Sequence, residues 1–309
     1  MLMKKVLITG CGSFTAGHLM PFLLQQKGLS LTGTDREQVT SGIEFIKADL
    51  TGRTETEALL RNVRPDLIIN LAGLNKSDRI YSFFDLNLTI ARNILESLLY
   101  LSMHDCKTLL ISSSAVYGNV VQDPVNESCP ANPVNAYGFS KLAMEHMAMD
   151  LFNKYNLPVF LVRPFNLYGT GQQKTFVIPA FINSLLKVKY EGERGLNTGD
   201  LESERDFLHV SDAVKAYWLV LQSGTPGKAY NLGTGHVIKI HDILMKIIDI
   251  LGLDRHIDIV RQSGCGSQVK TITADITGIT QLGWAPVADM DASLREIVRY
   301  EMTHAGYKN

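Results

Sequence analysis

Lys5-Val6-Leu7-Ile8-Thr9-Gly10-Cys11-Gly12-Ser13-Phe14-Thr15-Ala16-Gly17 carries a short apolar run into a glycine-rich turn, and an apolar-periodic segment from His18 to about Gln26 follows. Strand, glycine turn and helix in that order build an anion site, because the exposed amides at a helix N-terminus face a pyrophosphate. This order predicts an α/β protein with a doubly wound parallel sheet. Its first turn, Gly10, Gly12, Ser13, Phe14 and Thr15, is expected to hold a dinucleotide. Ser30 to Thr34 reads as a second strand ending at Asp35, 25 residues beyond Gly10, where a carboxylate accepts from the adenosine ribose hydroxyls. That favours NAD. Arg36 suits a 2′-phosphate, so NADP stays open. Ile43 to Ala48 is a third strand ending at Asp49-Leu50. Asp66 to Asn70 is a fourth, followed by Leu71-Ala72-Gly73, whose small residues let backbone pass a cofactor.

Composition bounds the partners. The chain has 309 residues, 45% of them hydrophobic and 20% charged, enough for one large or two moderate domains. A net charge of −1 gives no basic footprint for nucleic acid or a membrane surface, which leaves small molecules. The four cysteines, Cys11, Cys106, Cys129 and Cys265, lack CxxC or metal spacing, so reduced thiols and no metal are expected. Met1 to Lys5 runs directly into a strand without a long apolar segment, and a cytoplasmic protein with no membrane span is the expectation.

Two further stretches carry chemistry: Ile111-Ser112-Ser113-Ser114-Ala115-Val116-Tyr117-Gly118 and Ala136-Tyr137-Gly138-Phe139-Ser140-Lys141. Residues four apart share a helix face at about 6 Å, so Tyr137 and Lys141 project into one space. An ammonium beside a phenol favours phenolate, drawing the tyrosine pKa towards neutrality. A serine hydroxyl then holds a substrate oxygen. Tyr-x-x-x-Lys alone arises often by chance; its place after a buried strand and a serine cluster gives it meaning, because an open α/β sheet puts ligands at its strand ends.

With Val6 to Gly10, Asn70 to Gly73, Ser113 to Gly118, Tyr137 to Lys141, Arg163-Pro164-Phe165-Asn166 and Arg205 to Asp212 in this order, the chain resembles the extended short-chain dehydrogenase/reductases that act on nucleotide-diphosphate sugars, the NAD-dependent epimerase/dehydratase family. Within it the chain looks like the GDP-6-deoxy-D-mannose (GDP-4-keto-6-deoxy-D-mannose) reductases. The glycine motif departs from the family's Gly-x-x-Gly-x-x-Gly: Gly10 fits, Ser13 and Ala16 replace the second and third glycines, and Gly12 and Gly17 are out of register. Asn70 stands where a histidine is usual.

The resemblance implies a Rossmann cofactor domain from 1–165 plus about 207–235, and a smaller α/β substrate domain from 166–206 plus about 236–309. It makes Ser113, Tyr137 and Lys141 catalytic, with Ser113 chosen because it lies four residues before Tyr117. It places Asp49 and Leu50 against the adenine. Substrate contacts are expected from Ser114, Asn166, Val177, Arg205 and Arg261, an arginine suiting a diphosphate through its charged planar fork. It also implies a homodimer through the helix from Asp85 to Leu101 and the one carrying Tyr137. The expected activity is NAD(P)H-dependent reduction at C4 of a nucleotide-linked 4-keto-6-deoxyhexose. A 4-epimerase uses the same three residues and remains the alternative. A 4,6-dehydratase is not expected, since its acidic residue after the catalytic threonine is replaced by Ser114-Ala115. A non-catalytic cofactor-binding regulator would ordinarily have lost Tyr137 or Lys141.

Overall fold

A computed structural model describes residues 3–40, 42–120, 122–253, 257–261 and 271–307, with the backbone alone at Arg261. The strands are β1 (Lys4–Thr9), β2 (Leu29–Asp35), β3 (Glu44–Lys47), β4 (Leu67–Asn70), β5 (Lys107–Ile111), β6 (Val159–Pro164), β7 (Asn166–Tyr168), β8 (Gly195–Thr198), β9 (Glu204–His209), β10 (Ala229–Leu232), β11 (Val237–Lys239) and β12 (Asp258–Arg261). The helices are α1 (Phe14–Leu24), α2 (Arg53–Val63), α3 (Ile80–Phe83), α4 (Thr89–Tyr100), α5 (Ala136–Tyr155), α6 (Val177–Glu191), α7 (Val210–Ser223), α8 (Ile240–Leu251), α9 (Thr277–Thr280) and α10 (Met290–Ala305).

Among the described residues, β10-β6-β5-β4-β1-β2-β3 form a parallel seven-stranded sheet. Alternation along β1 shows why it is buried on both faces. Val6 and Ile8 join Leu19 and Leu23 of α1 and Val214 of α7. Leu7, between them, joins Leu60 of α2, Ile94 of α4 and Met144 of α5. A strand whose side chains are apolar on both sides cannot face water, so helices cover each face. This is the doubly wound Rossmann architecture.

The smaller lobe carries its own core, in which Ile182 and Leu185 of α6, Ile243 and Ile247 of α8 and Leu294 and Ile297 of α10 pack together. Its strands form two small sheets, β11-β9-β7 and β12-β8. The chain leaves the seven-stranded sheet after β6, returns through α7 to β10, and leaves it again. Asp206, fully buried, ties these passages together by accepting from Thr234 N and Oγ1, Gly235 N and Ala274 N at 2.7 to 3.2 Å.

The single helix expected from Asp85 to Leu101 is broken. α3 passes through a π-turn, Phe84–Leu88, into α4. The wider turn sets Asn87 inward, where it donates to Leu74 O and Ser140 Oγ at 2.9 Å and accepts from Leu74 N at 2.7 Å. Such single π-turns often mark functional positions. The first helix likewise starts earlier than its apolar period suggests, at Phe14, because Ser13 Oγ caps it by accepting from Ala16 N.

Candidate active site

A cleft of about 950 Å³ opens across the ends of β1, β4, β5 and β6 and runs on between α5 and the smaller lobe. Open α/β sheets bind ligands at these strand ends. The cleft brings together Gly12, Ser13, Phe14, Thr15, Leu71, Gly73, Ser113, Ser114, Tyr137, Lys141, Asn166, Val177 and Arg205, residues spread over nearly 200 positions of sequence.

The floor is shaped by close backbone approaches. Gly10 has φ +64°, and a Cβ there would lie 2.7 Å from Ala72 N, so the ends of β1 and β4 meet only because the residue is glycine. Ser13, at φ −77°, needs no such freedom. Its replacement of the usual glycine therefore costs no backbone strain, and its hydroxyl turns to the helix cap. The first-turn amides of α1 lack intrahelical acceptors and present partial positive charge at the cleft edge.

Gly10, Asp35, Arg36, Asp49, Leu50 and Ala72 lie outside the cleft lining, on the β1–β3 side. Asp35 is braced there: Oδ2 accepts from Gly12 N at 3.0 Å and Oδ1 from Arg36 N at 2.8 Å. The exposed Arg36 helps hold the Asp49 carboxylate below its ordinary range, after the larger effect of hydrogen bonds from Thr51 N and Oγ1. Leu50 is buried, and its carbonyl accepts from Asn93.

Helix α5 begins at Asn135, whose side chain accepts from Gly138 N at 2.9 Å. Gly138 permits the next contact, since a Cβ on it would sit 2.5 Å from Ala115 O. The helix can therefore lie directly on the serine segment. Tyr137 and Ser113 line the same part of the cleft, and the Ser113 side chain is near enough to act on the phenol's pKa. Ser113 Oγ also accepts from Ala115 N at 3.1 Å, and Lys141 Nζ donates to Ile111 O at 2.7 Å.

The electrostatics differ from the sequence expectation. Burial pushes the Tyr137 phenol up rather than towards neutrality, and the nearby Ser113 hydroxyl only partly opposes this. Lys141 exerts no resolved pull on the phenol. Burial lowers the lysine itself to about 8, against the raising influence of Glu145. In a desolvated wall the cost of charge outweighs the benefit of the pair.

On the other wall Asn166 Nδ2 donates to Asp206 O at 3.0 Å, and Arg205 Nη1 donates to Glu204 O at 2.7 Å. Arg205 is pushed below its ordinary range by burial, although Asp200 raises it. Val177 opens α6 at the cleft edge. Arg261 closes β12, paired with Thr198; its side chain lies outside the described residues, as does the stretch after it.

Sequence reasoning missed a buried polar network behind the site. Arg163 donates from Nε and Nη2 to the two carboxylate oxygens of Glu145 at 2.9 and 2.6 Å, and from Nη1 to Tyr117 Oη at 2.8 Å. Tyr117 Oη donates to Asn231 Oδ1 at 2.6 Å, while Asn231 N donates to Glu127 Oε1 at 2.8 Å. The network fastens β6, the serine segment, α5 and β10 to one another. The available signal was Glu145 one turn beyond Lys141 on the same helix face.

A doubly wound sheet with serine, tyrosine and lysine gathered at the end of its fifth strand defines a short-chain dehydrogenase/reductase of the extended type. The chain belongs to the NAD dependent epimerase/dehydratase family, whose pattern matches residues 6–233. It is 29% identical over 306 residues to the GDP-6-deoxy-D-mannose reductase of Pseudomonas aeruginosa, covering 96% of each chain. It is 27% identical over 250 residues to the GDP-6-deoxy-D-talose 4-dehydrogenase of Aggregatibacter actinomycetemcomitans, covering 80% of each. The structure of RMD from Pseudomonas aeruginosa complexed with NADPH superposes with a TM-score of 0.85 at 25% identity, over 98% of this chain and all of that one. Nicotinamide dinucleotides are the cofactors of this family. No helix among the described residues is long and apolar enough to cross a membrane.

Proposed function

We propose that this protein is an NAD(P)H-dependent reductase of a nucleotide-diphosphate 4-keto-6-deoxyhexose. The observation that carries the reading is the convergence of Ser113, Tyr137 and Lys141 on one cleft with the first-turn residues Gly12 to Thr15, burial keeping the phenol's pKa raised. Reduction of a ketone needs a proton donor beside the carbonyl oxygen, and a protonated phenol is one. Two relatives named for redox chemistry on GDP-linked 6-deoxyhexoses, one of them at position 4, support the substrate class.

Gly10 to Thr15 would hold the pyrophosphate on the first turn of α1, Asp35 the adenosine ribose, and Asp49 and Leu50 the adenine. The backbone of Leu71 to Gly73 would pass alongside the dinucleotide. The nicotinamide supplies the hydride to C4. Tyr137 donates its proton to the developing alkoxide, Ser113 hydrogen-bonds the same oxygen, and Lys141 holds the nicotinamide ribose. Ser114, Asn166 and Val177 would line the hexose, with Arg205 and Arg261 on the diphosphate. In this reading residues 1–165 with about 207–235 form the cofactor domain and the remainder the substrate domain; α7, beginning at Val210, is the segment that re-enters the large lobe. A homodimer through α4 and α5 is part of the proposal, supported by the exposed Tyr81, Tyr100 and Phe139 on or beside those helices.

The test mixes the protein with GDP-, dTDP-, CDP- and UDP-linked 4-keto-6-deoxyhexoses and NADH or NADPH, following the reduced-nicotinamide absorbance. One cofactor consumed per 6-deoxyhexose formed is the expected result. Interconversion of a nucleotide-hexose pair with only catalytic NAD would identify a 4-epimerase instead.

A further inference from the structure

Four tyrosines are almost wholly buried: Tyr117, Tyr168, Tyr217 and Tyr230. Two have bonded hydroxyls, Tyr117 to Asn231 and Arg163, and Tyr230 to Thr225 N, and Tyr168 is not among those left with a buried, unpartnered oxygen. Tyr217 Oη alone among them has no partner among the described residues. Burying a hydroxyl without a partner is costly, so such a group in a native fold calls for an explanation.

Its position supplies one. Tyr217 projects from the middle of α7, and its ring is packed in the core between α7, α1 and the sheet. Yet the residue lines the cleft, together with Ile111 and Ser113 at the end of β5, Pro164 at the end of β6 and Phe14 of the glycine turn. The ring is enclosed by apolar neighbours, and the oxygen of this cleft-lining residue is closed to solvent with no protein partner among the described residues. Of the seven buried side-chain polar atoms without a partner among the described residues, those of Ser112 and Tyr217 belong to cleft-lining residues. A serine hydroxyl can turn to whichever neighbour suits it, whereas a phenol oxygen is fixed by its packed ring. The phenol is also near Tyr137, whose influence adds to burial in raising its pKa, so it carries its proton throughout the working range.

We infer that Tyr217 is a cofactor-positioning residue whose hydroxyl hydrogen-bonds the carboxamide of a bound nicotinamide. A carboxamide offers an acceptor oxygen and a donor nitrogen, and a neutral phenol can meet either. The pyrophosphate end of the cleft is served by backbone amides and the ribose by Lys141. The carboxamide is the remaining polar part of the cofactor's redox end, and Tyr217 lies on that floor. This inference rests on the cofactor reading given above.

The experiment titrates NADH fluorescence against wild type and Tyr217→Phe, with ADP-ribose, which lacks the nicotinamide, as a competing ligand. Phenylalanine keeps the ring and its packing and removes only the oxygen. NADH affinity should fall about three- to tenfold, the range of one net hydrogen bond, while ADP-ribose affinity stays unchanged. The thermal midpoint without nucleotide should be unchanged or higher, because an unpaired buried hydroxyl has been removed. Equal NADH affinity in the two proteins, or equal losses for NADH and ADP-ribose, would overturn the assignment. If wild type binds neither NADH nor NADPH, the cofactor reading itself fails; if wild type binds and Tyr217→Phe binds equally, only the role of Tyr217 fails.

Discussion

The two walls of the cleft are made differently. The wall of β1, β4, β5 and α5 is set by backbone against backbone: a side chain at Gly10 would strike the Ala72 backbone, and one at Gly138 the Ala115 carbonyl. The facing wall presents side chains, Phe176, Val177, Phe181, Arg205 and Phe207, carried on α6 and β9 or beside them. Backbone contacts leave no latitude for substitution, and side chains leave a great deal. The first wall therefore fixes where the reacting groups stand, and the second can be recut to fit a particular base and sugar without moving them.

The strongest way to break this contrast is Tyr137→Phe. Turnover should fall about 10²- to 10⁴-fold while NADH binding, measured by fluorescence, persists; near-normal turnover would remove the acid from the rigid wall. Next in size is a paired substitution. Glu145→Ala strands the buried Arg163 guanidinium and should cost about 3–5 kcal/mol in urea unfolding. Arg205→Ala should leave unfolding nearly unchanged and raise the KM for the nucleotide sugar instead. Similar unfolding curves for both variants would erase the distinction between frame and pocket.

A pH series sharpens it further. Lys141 falls from 10.5 to about 8 in the fold, so the folded state binds this proton less tightly than the unfolded chain. Its destabilisation is full below about pH 8 and relieved as pH rises towards 10.5. Wild type should gain on Lys141→Met by up to about 3 kcal/mol across that window. Parallel stability curves from pH 7 to 10.5 would show that the lysine is not held at a desolvation cost. The smallest effect is expected from Asp35→Ala, which removes like-charge repulsion of a 2′-phosphate and should move the NADPH-to-NADH ratio of kcat/KM upward several-fold. An unmoved ratio would place the ribose elsewhere.

The large lobe was readable in sequence because its strands β1, β4, β5 and β6 are apolar on both faces and end in motifs with a physical cause. Tyr137 and Lys141 were legible through helical spacing read together with the buried strand and serine cluster that precede them. The protonation of Tyr137 was not, because it depends on how deeply the wall is buried, which no spacing encodes. In the smaller lobe β7, β8, β11 and β12 are three or four residues long, too short for a period of two to stand out. α2 and α10 also went unassigned; with Thr, Glu and Arg along most of α2, only Leu59, Leu60 and Val63 mark its buried side. Tyr217 received no site role from the sequence, and its unbonded oxygen is what separates it from its buried neighbours on α7.

The repeated passage of the chain between lobes bears on how such proteins can be recombined. A chimera that borrows a relative's pocket by one exchange point after Pro164 would also replace α7 and β10, which belong to the other lobe. Transplanting specificity alone requires three junctions, near Phe165, Val210 and Leu232. Asp206 of the borrowed β9 then keeps its partners Thr234 and Gly235, which lie beyond Leu232 and must travel with it. Pocket residues on α6 and β9 can be changed one at a time within an intact chain, whereas exchange of the lobe as a block is opposed by its own threading.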